Sequence, residues 1–163
     1  MGVAIALTIV WCSTVLISVR SKKREAPSEA LSKAPGREDL LSPLGPPGAK
    51  VKVKTYIPFD SLCPSCVIEA RKVFRRILRK HPGEVRFEFV DISGSMKLKK
   101  ELANALRSQG VLPDPNAEAW ILVNGRAKFE VDGQTVVLKR LPRPSDRTAR
   151  LLQRIIDEET RGR

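Results

Sequence analysis

Cysteine, histidine and aromatic side chains are scarce: three Cys, one His and 5% aromatic residues in a chain of 163. So few cysteines cannot build the dense disulfide framework that holds together a small secreted domain. A structural zinc site needs four ligands, and outside Cys12 the chain offers only the thiols of Cys63 and Cys66 and the imidazole of His81. The formal net charge of +12 would suit nucleic acid or an anionic surface. Without a recognisable binding motif or interleaved aromatics, specific nucleic-acid binding is not expected. No internal repeat is visible.

Charge is missing altogether from Gly2 to Val19. At about 1.5 Å per helical residue that run reaches roughly 27 Å, close to the hydrocarbon thickness of a bilayer. A cleaved signal peptide would place Lys or Arg before the run and small residues after it, and the sequence has neither. Trp11 is too bulky to precede a lipidated Cys12, and Ala6 stands where myristoylation of Gly2 wants Ser or Thr. The expectation is an uncleaved anchor over residues 1–20, spanning the membrane once through 2–19. The dense basic run Arg20-Ser21-Lys22-Lys23-Arg24 follows directly. Positive flanks stay in the cytoplasm, so the rest of the chain is expected on the cytoplasmic side of the cell membrane. Residues 21–49, rich in Ser, Pro, Gly, Lys and Glu, read as a flexible linker. Leu41-Ser42-Pro43-Leu44-Gly45-Pro46-Pro47-Gly48 within it cannot hold a regular element.

Residues 50–160 read as the domain. Val51, Val53, Thr55 and Ile57 alternate with Lys52, Lys54 and Tyr56, the period of a half-buried strand. A helix is expected from Pro64 to Lys80, with Val67, Ala70, Val73, Phe74, Ile77 and Leu78 on one face and a stop at His81-Pro82-Gly83. Arg71, Lys72, Arg75, Arg76, Arg79 and Lys80 would form its solvated outer face, and His81 would cap its C-terminal end. Val85 to Asp91 is a second strand. Lys97 to Gln109 is a second helix, closed by Gly110. Ala119 to Val123 is a continuous apolar run, expected to be central and covered on both faces, with Trp120 in the core. Asn124-Gly125 and Asp132-Gly133 are hairpin turns, joining strands near Arg126–Val131 and Gln134–Lys139. A last helix begins near Ser145 or Asp146. The order β-α-β-α-β-β-β-α predicts an α/β domain: a central mixed sheet covered by helices, with parallel pairing across the first crossover.

Cys63-Pro64-Ser65-Cys66 falls at the junction of the first strand and the first helix. Unpaired N–H groups at a helix start favour negative charge, and the thiolate is the reactive form of cysteine. Cys63, just outside the helix, is the expected nucleophile. Cys66 lies one turn deeper on the same side and is the resolving thiol. Pro64 suits the first helical position, where its missing N–H costs nothing.

Strand, Cys-Pro-x-Cys, amphipathic helix, strand, helix, hairpin and final helix together resemble the thioredoxin/glutaredoxin superfamily. The resemblance covers about residues 50–160. It implies a thioredoxin-like fold and a thiol–disulfide oxidoreductase using Cys63 and Cys66, with a protein or small-molecule disulfide or thiol as partner and no cofactor. The family usually carries a cis-proline before the central strand that follows the second helix. That place falls here near Ala117, with Pro113 and Pro115 slightly early. No acidic residue stands in the first strand as a proton acceptor; Asp60 and Glu69 are the nearest carboxylates and read as solvated. Two other readings stay open: a module that carries a soft metal ion on the thiolates of Cys63 and Cys66, and a non-catalytic domain of the same fold that binds partners through its basic surface.

Overall fold

The computed structural model describes residues 35–162. The expected membrane anchor over 2–19, and Cys12 within it, lie outside the described residues. Among the described residues no helix is long and apolar enough to cross a membrane.

The described elements are α1 (Arg37–Leu41), β1 (Val51–Ile57), a 3₁₀ turn (Phe59–Ser61), α2 (Pro64–Lys80), β2 (Val85–Asp91), α3 (Met96–Arg107), β3 (Trp120–Val123), β4 (Lys128–Val131), β5 (Gln134–Val137) and α4 (Arg147–Arg161). The architecture is α/β, a small mixed sheet with helices. β1 lies between β2, which it pairs in parallel, and β3, which it pairs antiparallel. The outer edge of β3 is taken up as well: the Ala119 and Ile121 N–H groups donate to the Lys139 and Leu138 carbonyls. β4 and β5 form a separate hairpin.

The alternation of β1 sends Val51, Val53, Thr55 and Ile57 inward, all fully buried. Val51, Val53 and Ile57 share one core with Phe74 and Ile77 of α2, Phe87 of β2, and Leu152, Ile155 and Ile156 of α4. In β3 successive side chains go to opposite faces. Ile121 and Val123 join that core, while Trp120 and Leu122 meet Leu102 and Leu106 of α3 in a second one. A strand buried on both sides has no polar face, which explains its unbroken apolar sequence. Asn124 and Asp132 have positive φ angles of 50° and 53°, each followed by a glycine at positive φ, as two-residue hairpin turns require. Asp146 caps α4, its side chain accepting from the Ala149 N–H.

Three expectations need correction. The linker expected over 21–49 is packed structure in its described second half. α1 buries Leu40, Ala49 is also buried, and Leu44 pairs with Phe87 in both directions at the edge of β2. The Pro/Gly-rich stretch after α1 does lack a regular element, but its backbone bonds tie it to the sheet. α3 ends at Arg107 with Ser108 as its C-cap, not Gly110. Gly110, at φ 69°, turns the chain after the helix has stopped. Arg71 is not on a solvated face: it is 7% exposed. Its guanidinium donates to the Leu40 and Ser42 carbonyls at 2.8 and 2.7 Å. Orphaned backbone acceptors of the 40–42 segment thus find their donor on α2, and burial holds the guanidinium below its ordinary pKa.

Candidate functional site

The approach to the cysteine pair is a short, braced turn. β1 ends at Ile57, and Phe59–Ser61 winds one 3₁₀ turn before Cys63. Asp91, at the end of β2, accepts from the Phe59 N–H at 3.3 Å and the Ser93 N–H at 2.9 Å. The Ser93 hydroxyl accepts from the Asp60 N–H at 3.0 Å. Arg37 of α1 bridges Asp60 and Asp91 and lies over the Phe59 ring, 4.9 Å from its centroid. The segment expected to be a tether therefore supplies one of the braces.

Burial works against the charged form of Asp91. The bonds from Ser93, Arg37 and Phe59 outweigh it and hold the carboxyl at about 2, against an ordinary 3.8. A carboxyl depressed on folding contributes stability above its unfolded pKa and loses it as pH falls toward the folded value. The brace should therefore weaken between about pH 4 and pH 2. Urea midpoints of wild type and Asp91→Asn should differ at pH 7 and converge as pH is lowered through that window. A gap that stays constant would mean that the Asp91 charge carries none of the brace.

Cys63 is the N-cap residue of α2, in extended conformation, and Pro64 is the first helical residue. The Cys66 N–H donates to the Cys63 carbonyl at 2.9 Å, which closes the first turn. That turn brings the two cysteines to a Cα separation of 5.4 Å, joined as a disulfide. Cys63 is exposed and Cys66 half-buried. An incoming group therefore meets Cys63 first. The Ser65 hydroxyl lies 3.3 Å from the Cys63 sulfur. On the other sulfur, Arg143 Nη2 lies 4.0 Å from Cys66 Sγ and 3.4 Å from Glu118 Oε1.

Sequence reasoning found the pair and missed its surroundings. Arg143 is 77 positions from Cys66, and no local pattern links them. The loop before β3, where a cis-proline was sought, presents Glu118 instead, and no peptide bond among the described residues is cis. Pro113 and Pro115 line a groove of about 450 Å³ with Pro58, Leu102, Ala117 and Trp120. Asp60 is exposed, as expected, but is engaged by Arg37; Glu69 pairs with Lys72. His81 caps α2 through its backbone N–H to the Ile77 carbonyl, while its ring is directed to Asp157 of α4 at 2.7 Å. Among the described residues no group of three or more His, Cys, Asp or Glu side chains is placed to hold a metal ion.

No family model matches the chain, and neither a curated protein nor a solved structure matches it.

Proposed function

We propose that the chain is a thiol–disulfide oxidoreductase of the thioredoxin-like fold, tethered to a membrane through residues 2–19, with Cys63 and Cys66 as its working dithiol. One observation supports this above the rest. The cysteine pair sits at the exposed start of the helix that follows β1 after one short turn, with Cys63 exposed and Cys66 half-buried. The order β1-α2-β2-α3-β3, with β1 parallel to β2 and antiparallel to β3, is compatible with the fold that the Cys-Pro-Ser-Cys motif suggests.

The chemistry is a pair of exchanges. In the reduced protein the Cys63 thiolate attacks one sulfur of a partner disulfide. A bond forms between Cys63 and that sulfur, and the other partner sulfur leaves as thiolate. Cys66, as thiolate, then attacks Cys63 Sγ, forms the internal disulfide and expels the second partner sulfur. Run this way the partner gains two electrons and the protein loses them; run in reverse, the same exchanges oxidise a partner dithiol and reduce the protein.

Cys66→Ser tests the order of events. Without the resolving thiol, the adduct on Cys63 has no internal exit. Incubation of the reduced variant with oxidised glutathione should give one glutathione per chain on Cys63, located by mass spectrometry of its peptides, while wild type ends as the internal disulfide. An adduct found on Cys66 in the reciprocal Cys63→Ser variant, with none on Cys63 here, would reverse the assignment and sink the mechanism.

A further inference from the structure

The contact between Arg143 and Cys66 assigns a residue and a direction to this site. We propose that Arg143, whose guanidinium is shared between Cys66 and Glu118, stabilises the Cys66 thiolate and so biases the pair toward accepting electrons from a dithiol substrate. The inference rests on the thiol–disulfide reading above and adds to it the sense of electron flow.

Three separate parts of the fold meet here. α2 supplies Cys66, the loop before β3 supplies Glu118, and the loop before α4 supplies Arg143. Within three positions of Cys66, Glu118 and Arg143 the other charged residues are Glu69, Arg140 and Asp146. Glu69 is taken by Lys72. Asp146 accepts from the backbone N–H groups of Arg143 and Ala149, which fixes the loop carrying Arg143. Arg143 is the cation in contact with the Cys66 sulfur, and Glu118 is the carboxylate that competes for it.

The half-reaction balances without an added reagent. A substrate thiolate attacks Cys63 Sγ. A bond forms between substrate sulfur and Cys63, the Cys63–Cys66 bond breaks, and the electron pair leaves on Cys66 Sγ, beside the guanidinium. A second substrate thiolate then attacks the substrate sulfur of the mixed disulfide. The substrate disulfide forms and the electron pair leaves on Cys63, at the start of α2. Two electrons pass from the substrate dithiol to the protein, and the two thiol protons go to solvent or to the protein's sulfurs. Each departure is eased by positive potential, from Arg143 in the first step and from the helix start in the second. Stabilising the thiolate form of a dithiol makes its disulfide more oxidising.

The test uses the full-length chain carrying Cys12→Ser, so that only the pair responds. Equilibration with glutathione redox buffers, read by alkylation and mass, should show Arg143→Gln shifted toward the disulfide by about tenfold, which is about 30 mV. Arg143→Lys should recover part of that shift. Glu118→Gln removes a carboxylate that competes for the guanidinium, and should shift the equilibrium the opposite way. Thiolate absorbance of the Cys63→Ser forms gives a second readout free of exchange. The Cys66 pKa should rise by about one unit with Arg143→Gln, a tenfold change in thiolate, and fall with Glu118→Gln. Both variants moving the same way, or neither moving, would overturn the inference, because local disruption has no reason to give opposite signs. If wild type failed to exchange with glutathione at all, the oxidoreductase reading would fail, and the Cys66 titration would still decide whether Arg143 acts on that sulfur.

Discussion

Replacing Cys63 with Ser should lower the second-order rate of disulfide exchange by at least about a hundredfold, with the folded protein otherwise intact. A serine hydroxyl is not ionised at neutral pH, and the thiolate is what attacks a disulfide. Ser is close in size to Cys, and position 63 is exposed, so the substitution opens no cavity and strands no buried group. Ser is also among the best N-cap residues, whereas the Cys63 side chain makes no cap bond. The helix should therefore lose nothing, and the variant separates chemistry from folding. The measurement is single-turnover exchange with oxidised glutathione, followed beside far-UV circular dichroism and a urea transition. A rate within a fewfold of wild type would mean that Cys66 or another group attacks first. The exposure of Cys63 against the half-burial of Cys66 would then not set the order of reaction.

What the sequence made legible is what neighbouring residues decide among themselves. α2 could be placed from Pro64 to Lys80 because Pro64 fits the first helical position, the apolar residues repeat at helical spacing, and His81-Pro82-Gly83 stops the run; the structure has those bounds. The two hairpin turns follow from Asn-Gly and Asp-Gly, which tolerate the positive φ found at both. The unbroken apolar run at 119–123 announced a strand covered on both faces, and its residues divide between two cores. The position of the cysteine pair between β1 and α2 follows from the same local signals.

The rest depends on segments that meet only in the fold. Arg71 occupies a helical position that reads as solvent-facing among its basic neighbours. Its burial depends on the 40–42 carbonyls arriving from a part of the chain with no periodic pattern. The same segment carries Arg37, whose link to Asp91 crosses 54 positions. Arg143 and Glu118 lie in loops, where sequence carries little positional signal. The paired sulfurs were thus visible, while the charged groups around them were not. The latter are set by tertiary contact, not by spacing along an element.

The largest expected loss of stability comes from Phe74→Ala. Phe74 is fully buried. Its ring stacks on Phe87 with centroids 4.2 Å apart and planes within 8°, and meets Phe89 at 5.4 Å in a tilted contact. Truncation removes apolar surface from the core and breaks both ring contacts, because the neighbours are held by β2 and cannot follow the shrinking side chain. Phe→Ala at such a site costs about 3–5 kcal/mol, against a total of about 5–15 kcal/mol for an ordinary domain. The urea midpoint should fall steeply, and the folded population at 37 °C should shrink with it. Phe74→Leu keeps most of the volume and should cost clearly less, about 1–2 kcal/mol. The site should suffer in step with the fold: α2 presents Cys63 only while its apolar face is anchored on β1 and β2. The exchange rate per folded molecule should stay near wild type in both variants as the folded fraction drops. An unchanged urea midpoint for Phe74→Ala would show that the stacked pair is not what seats the helix carrying the cysteines on the sheet.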